Sequence, residues 1–312
     1  MSNFLVTFGI FLVKLIGAVS KLLPSSVIYS ITTFISSACF RFISRPKMIS
    51  YLQLKKFLQV DSKTANEIQN RMYKHVGQSL ADILYQQEIL ASELITHDEQ
   101  TKDILKLDKG AIVLSAHYGC FELLASFYAY HGKSFAAFGR KPNYQAFADW
   151  LSIQRESSGI KTIWRDDPKA INQIVKCIKN NSPLAALIDQ DIDIESEFSI
   201  FFGEAAQSPI SPIRIAIKYN LDIYYSFIQR TGQRQHKVIS GKIERPNGAD
   251  EKEVIISVLE QYNRNLERVI RDKPEQWLWW HKRWRRKPGV DYQSSPELLQ
   301  STQKYIEWLA EA

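Results

Sequence analysis

Ala111-Ile112-Val113-Leu114-Ser115-Ala116-His117-Tyr118-Gly119-Cys120-Phe121-Glu122 is the stretch on which the reading of the fold turns. Ala111 to Ala116 is a short apolar run that reads as a strand, and Tyr118 to Tyr130 reads as the helix that follows it. His117 stands at the junction. In open α/β sheets that junction, at the strand end, is where ligands and reactive groups collect. On one continuous helix, residues five apart point about 140° away from each other. His117 and Glu122 meet only if His117 precedes the helix and Gly119 lets the chain fold back. In that geometry the carboxylate accepts from one imidazole nitrogen, fixes the tautomer, and leaves the other nitrogen free to take a proton from an alcohol. A structural histidine satisfied by its surroundings is the competing reading, because a His followed five residues later by an acid is a common coincidence.

The same texture continues outward from this stretch. Ser134 to Phe138, Lys161 to Trp164, Leu184 to Ile188, Leu221 to Ile228 and Lys237 to Ile243 read as further strands. Helices are expected near Tyr144 to Glu156, from Pro168 to about Lys179, over Ser211 to Tyr219, over 250–272 and after Pro296. Upstream, Met72, Val76, Leu80, Ile83 and Leu84 recur at helical steps within a pattern running from about Ala65 to Glu93. Strands alternating with helices predict an α/β domain, a central mixed sheet flanked by helices, over 46–312.

Residues 1–45 read differently. Phe4 to Val13 is uncharged and apolar, Lys14 and Lys21 interrupt it, and Leu22 to Phe40 continues without a charge. Pro24 and many Ser and Thr dilute that second run, which fits an arm lying in the membrane interface or a short anchor as well as a span. A buried helical hairpin is the alternative. No convincing cleavage site follows the first run, so a removed signal peptide is not expected.

The chain has 312 residues, 45% of them apolar, enough to bury an ordinary core, and a net charge of +7 that favours anionic partners. No helix-turn-helix, zinc-finger or RNP pattern accompanies the charge, so nucleic acid is not an expected partner. Cys39, Cys120 and Cys177 are odd in number and widely spaced, which reads as reduced thiols facing the cytosol with no structural zinc.

Three more clusters leave the expected strands and helices. Arg140 follows the second strand and Arg155 ends the next helix; both are candidate phosphate clamps, with a solvated helix end as the alternative. Asp189-Gln190-Asp191 leaves the fourth strand, where hydrogen bonding to Arg155 or to the loop is expected rather than a metal, for want of a third ligand. Phe201-Phe202-Gly203 with Gln207-Ser208-Pro209 reads as an apolar wall ending in a helix cap, a candidate acyl-chain lining or plain core. From Trp277 to Lys287, four tryptophans are interleaved with basic residues. Trp277, Trp279, Trp280 and Arg283 are therefore candidate membrane contacts. Cys120 is expected to be a small packing residue.

Taken in order, His117 to Glu122, Arg140-Lys-Pro-Asn, Arg155-x-x-x-Gly159, Asp189-Gln-Asp191, Phe201-Phe-Gly203 and Glu275-Gln-Trp277-Leu-Trp279 resemble the late acyltransferases of lipid A biosynthesis, the lauroyl and myristoyl transferases, over roughly 65–290. The resemblance implies transfer of an acyl chain from acyl carrier protein or coenzyme A to a hydroxyl of a glucosamine-based lipid, at the cytoplasmic face of the inner membrane. It implies His117 as general base with Glu122 behind it, roles in activity for Arg155 and Asp189 and less directly for Arg140 and Asp191, and no cofactor or metal. Asp193, Glu195 and Glu197 depart from the pattern, since relatives tend to carry glycine or basic residues there. Related possibilities are a glycerophospholipid or phosphatidylinositol-mannoside acyltransferase, although the Phe-Pro-Glu-Gly block of the glycerol-phosphate enzymes is missing. A non-catalytic lipid-binding protein of the membrane surface is the alternative of another class.

Overall fold

The computed structural model describes residues 16–17, 20, 22–142, 144–290, 292 and 301–311. In chain order the elements are α1 (Ser25–Arg41), α2 (Ser44–Leu58), α3 (Ser62–Leu84), α4 (Gln86–Ala91), β1 (Ile95–His97), α5 (Thr101–Lys106), β2 (Ala111–Ser115), α6 (Phe121–Tyr130), β3 (Ala136–Gly139), α7 (Gln145–Ser157), β4 (Lys161–Trp164), α8 (Ala170–Lys179), β5 (Leu184–Leu187), β6 (Ser196–Phe201), β7 (Glu204–Pro209), α9 (Ser211–Lys218), β8 (Asp222–Gly232), β9 (Gln235–Ile243), α10 (Glu251–Asp272) and, beyond a single 3-10 turn at Pro274–Gln276, α11 (Thr302–Ala310).

Seven strands form one mixed sheet in the order β1-β9-β8-β2-β5-β3-β4. The block from β8 to β4 is parallel throughout, and β9 turns back antiparallel on β8. Every residue of β2 is buried, as expected of a central strand covered on both faces. Its side chains alternate between two cores. Ile112 and Leu114 join one with Leu184, Ile223 and the buried faces of α9 and α10, while Ala111 and Val113 join the other with Tyr224, Val238 and the buried side of α6. Two of the longer helices are capped at their N-termini: Asp61 caps α3, and Asp250 with Glu253 forms a reciprocal capping box on α10.

The strands expected at Lys161 to Trp164, Ala111 to Ala116 and Leu184 to Ile188 are present to within a residue at each end. Two corrections stand out. The expected helix cap after Phe201 is instead the second arm of a hairpin, β6 and β7, joined by Phe202 and Gly203, both with positive φ of 52° and 79°. That pair makes the mirror-image turn that suits a two-residue hairpin. The helical pattern from Ala65 to Glu93 is broken at Tyr85 into α3 and α4.

Part of the N-terminal apolar region, including Phe4 to Val13, Lys14 and Lys21, lies outside the described residues. Among those described, no single helix is long and apolar enough to cross a membrane; α1 and α2 meet that test only as a pair bent by 93°. α1 packs along α3, where the Tyr29 hydroxyl donates to buried Asp82. Its outer side leaves Phe34 74% exposed, and Phe42 just beyond it is 86% exposed.

Candidate active site

The parallel register builds the site. Ser115 of β2 lies opposite Leu187 of β5, so two residues farther along each chain His117 and Asp189 leave neighbouring strand ends side by side. The His117 main-chain N–H donates to Asp189 Oδ2 at 3.0 Å, and His117 Nδ1 meets Asp189 Oδ1 at 2.9 Å. The Trp277 indole donates to the same Oδ2 at 2.9 Å. Burial pushes the Asp189 carboxyl up, but the His117 ring, the bonds it and Trp277 donate, and the His117 main chain outweigh burial and hold it at about 2. An ionised carboxylate accepts only, so Nδ1 is the donor in this contact, and in the neutral ring Nε2 is the nitrogen that holds the lone pair.

The loop that carries His117 is clamped from the far end of the chain. Gly119 has φ +62°, and a Cβ there would overlap the carbonyl of Ile228. Its N–H donates to the Gln276 carbonyl at 2.9 Å, and Tyr118 forms an antiparallel bridge with Trp277. The Tyr118 hydroxyl donates to the Val269 carbonyl at the end of α10. The helix expected from Tyr118 begins at Phe121, so His117 precedes it and Gly119 turns the chain between them.

The expected His117–Glu122 hydrogen bond is not formed. Glu122 sits in the first turn of α6 and receives both forks of Arg155, Nε at 2.8 Å and Nη2 at 2.7 Å. The sequence placed Glu122 behind the imidazole because it is the nearest acid in the chain. The sheet instead delivers Asp189 from 72 residues away. Arg155 is accordingly not bonded to Asp189, and its fork is taken by a carboxylate rather than held open for phosphate. The hollow beside this ion pair, lined by Ile83, Gln86, Ser126, Leu151 and Gln154, holds about one water molecule. Arg140 is exposed on the loop after β3 and is not drawn into this assembly.

Asp191 is buried among Arg285, the Arg286 guanidinium and the Arg286 main-chain N–H. It pins the basic C-terminal segment beneath the Asp189 strand end. Asp193 and Glu195, two of the acids that depart from the family pattern, are paired with Arg286 and Arg214.

The proposed membrane contacts need correction. Trp277, Trp279 and Arg283 are 1%, 0% and 0% exposed, and Phe201 at 0% packs against Trp277 and Trp284. These aromatics are core. The Arg283 guanidinium lies over the Phe201 ring and donates to Gln207 and Ser208 of β7, fixing the hairpin. Phe202 is nearly buried at the hairpin turn beside Trp279, so neither phenylalanine lines an open channel. Trp280 is half-buried and stacked on Phe40. Tryptophan and arginine in alternation are compatible with a headgroup surface and with a cation–aromatic core alike, and the burial decides.

Cys120 is buried at the N-terminus of α6, with its thiol pushed far up by burial. That rules out a ready thiolate nucleophile at this position. Among the described residues, no cluster of three His, Cys, Asp or Glu side chains is arranged to hold a metal ion.

A family model described as bacterial lipid A biosynthesis acyltransferase matches residues 2–286. The chain belongs to that family. The lipid A acyltransferase fold here is an α/β architecture with a central, mostly parallel mixed sheet flanked by helices. Among solved structures, the acyltransferase is similar to the 1-acyl-sn-glycerophosphate acyltransferase of Thermotoga maritima at 13% identity, covering 77% of this chain and 97% of that one with a TM-score of 0.38. No curated protein matches it. Tyr118, Gln276 and Trp277 fall within blocks that carry the family resemblance, but their role in clamping the His117 loop shows only in their long-range pairing.

Proposed function

We propose that this chain moves a fatty acyl group from a thioester, carried by acyl carrier protein or coenzyme A, to a hydroxyl of a lipid A-type glycolipid, with His117 as general base and Asp189 as its partner. The observation that carries the reading is the 2.9 Å contact of His117 Nδ1 with the buried, ionised Asp189 at adjoining strand ends. His117 Nε2 takes the acceptor's proton as its oxygen attacks the thioester carbonyl. The C–S bond breaks as the new ester forms, and the thiolate leaves to be protonated by the imidazolium. Asp189 steadies that imidazolium without being protonated itself. No acyl-enzyme is required, in keeping with the inert Cys120.

Glu122 and Arg155 act in this reading as a rigid pair that fixes the start of α6 next to the base, rather than as the base's own partner. The amphiphilic substrates place the reaction at a membrane surface, cytoplasmic because the acyl thioester is made there. Exposed Phe34 and Phe42 support such a surface, and three free cysteines fit a reducing compartment. The test is His117→Ala in the full chain, assayed with labelled acyl thioester and membrane lipids. Loss of transfer in a variant that still folds cooperatively is expected; full activity sinks the reading. Mass spectrometry of lipids from cells with and without the protein then names the acyl chain and acceptor.

A further inference from the structure

A second cavity lies beside the His117 site and is not used by the chemistry above. Arg45, Pro46, Ile49, Trp280, His281, Lys282, Arg285 and Thr302 enclose a cleft of 410 Å³, a size suited to a small-molecule headgroup. Three of its walls are cationic. Among the described residues, Arg45 and Lys282 have no carboxylate partner within ion-pair distance, and Lys282 Nζ donates only to the Thr302 hydroxyl at 2.7 Å. Arg285 is bonded through Nη2 to Asp191, whose charge is already met by Arg286. Its Nε, and the Nε2 of His281, are buried without a hydrogen-bond partner. These two atoms are sealed from the cleft, so the contacts open to an occupant are those of Arg45 and Lys282. Crowding agrees: burial, then Arg285 and Arg45, lower the Lys282 ammonium from its ordinary value.

The position fixes the class of ligand. Arg285, in the cleft wall, bonds Asp191 two residues beyond Asp189, so the cleft adjoins the loop that leaves the strand end carrying the proposed base's partner. The cleft is also lined by Pro46, Ile49 and Trp280, which give it an apolar wall beside its cations. A small water-soluble anion would leave that apolar wall unused, whereas a lipid with a charged headgroup matches both.

We propose that this cleft binds a phosphate group of the lipid acceptor and holds the acceptor's sugar against His117. The proposal rests on the acyl-transfer reading and deepens it. The same chemistry is available from the phosphopantetheine of the thioester donor, and the kinetics separate the two sources.

The test compares wild type with the Arg45→Ala/Lys282→Ala double variant, using a phosphorylated glycolipid precursor of lipid A, the same lipid after phosphatase treatment, and acyl carrier protein thioester as donor. Loss of two charge-assisted contacts should raise KM for the phosphorylated acceptor about tenfold or more, with kcat little changed. KM for the dephosphorylated acceptor and for the donor should stay at the wild-type values, as should all constants in Lys47→Ala, a control on the same helix outside the cleft. An equal change with both acceptors overturns the phosphate assignment, and a rise confined to the donor KM overturns the acceptor as its source. If wild type turns over neither acceptor, the acyl-transfer reading fails. The cleft is then judged by co-sedimentation with phosphatidylcholine vesicles containing phosphatidic acid, where undiminished binding by the double variant overturns it.

Discussion

Replacing Asp189 by Asn keeps the size of the side chain and removes its charge, and the consequences follow from three donors converging on two oxygens. Oδ2 receives the His117 main-chain N–H and the Trp277 indole, and neither can reverse its polarity. The amide oxygen of Asn must therefore take that side. Its NH₂ then faces His117 Nδ1, which has to accept, so the ring proton moves to Nε2. The nitrogen that should take a proton from the acceptor now carries one. General-base catalysis of this kind is worth about 10² to 10⁴ in rate, and loss of both tautomer and charge belongs toward the upper end. Asp189→Asn should lower kcat by about 10³, roughly 4 kcal/mol of barrier. KM should barely move, because Asp189 reaches the substrate only through the imidazole. Single-turnover transfer of a labelled acyl group from thioester to glycolipid reads the step directly, with a thermal melt to show that the variant is folded. Activity within about tenfold of wild type would refute the tautomer argument. So would a loss in Glu122→Gln larger than that in Asp189→Asn, because it would make Glu122 the partner of the base.

Other outcomes follow from the same geometry. Asp189 ionises at about 2 in the fold against an ordinary 3.8, so its contribution is complete above about pH 4 and vanishes as pH falls toward 2. Acid unfolding should therefore show a loss of about 2 kcal/mol across that window which Asp189→Asn lacks. Trp277→Phe keeps the aromatic packing and removes one donor to Asp189; activity should fall about tenfold, with stability reduced by about 1.5 to 3 kcal/mol in denaturant titration. Glu122 and Arg155, about 14% and 15% exposed, should show a coupling of about 1 to 3 kcal/mol in a double-mutant stability cycle, and Arg155→Lys should recover little of it because only the guanidinium engages both oxygens. Gly119→Ala should cost about 3 kcal/mol or more, combining a positive φ with overlap of the Ile228 carbonyl, and should melt well below wild type.

The strands were legible because apolar runs such as Leu184 to Ile188 are bounded by charge or turn residues, and the strand-to-helix junction at His117 because Gly119 follows it. What one-dimensional spacing does not carry is strand order. That β2 and β5 are neighbours decides that Asp189 rather than Glu122 meets the imidazole, and nothing within either segment says so. The Trp277 to Lys287 segment misled for a related reason. Its composition matches a headgroup-facing surface, but Asp191 and the β6–β7 hairpin draw it into the core, and both lie some 75 or more residues upstream. The hairpin escaped because Phe202 adopts a left-handed conformation that its side chain does not advertise. The Glu122–Arg155 pair shows the opposite case: both residues were singled out as chemistry-bearing, but the sequence assigned each to a different partner.

The bridge between Tyr118 and Trp277, with the Gly119 amide held by Gln276, makes the His117 loop depend on residues translated long after it. During synthesis the strand bearing His117 and the strand bearing Asp189 are both complete well before the indole that orders them exists. A nascent chain released or stalled short of Trp277 would carry both His117 and Asp189 and yet lack the brace that fixes the loop between them.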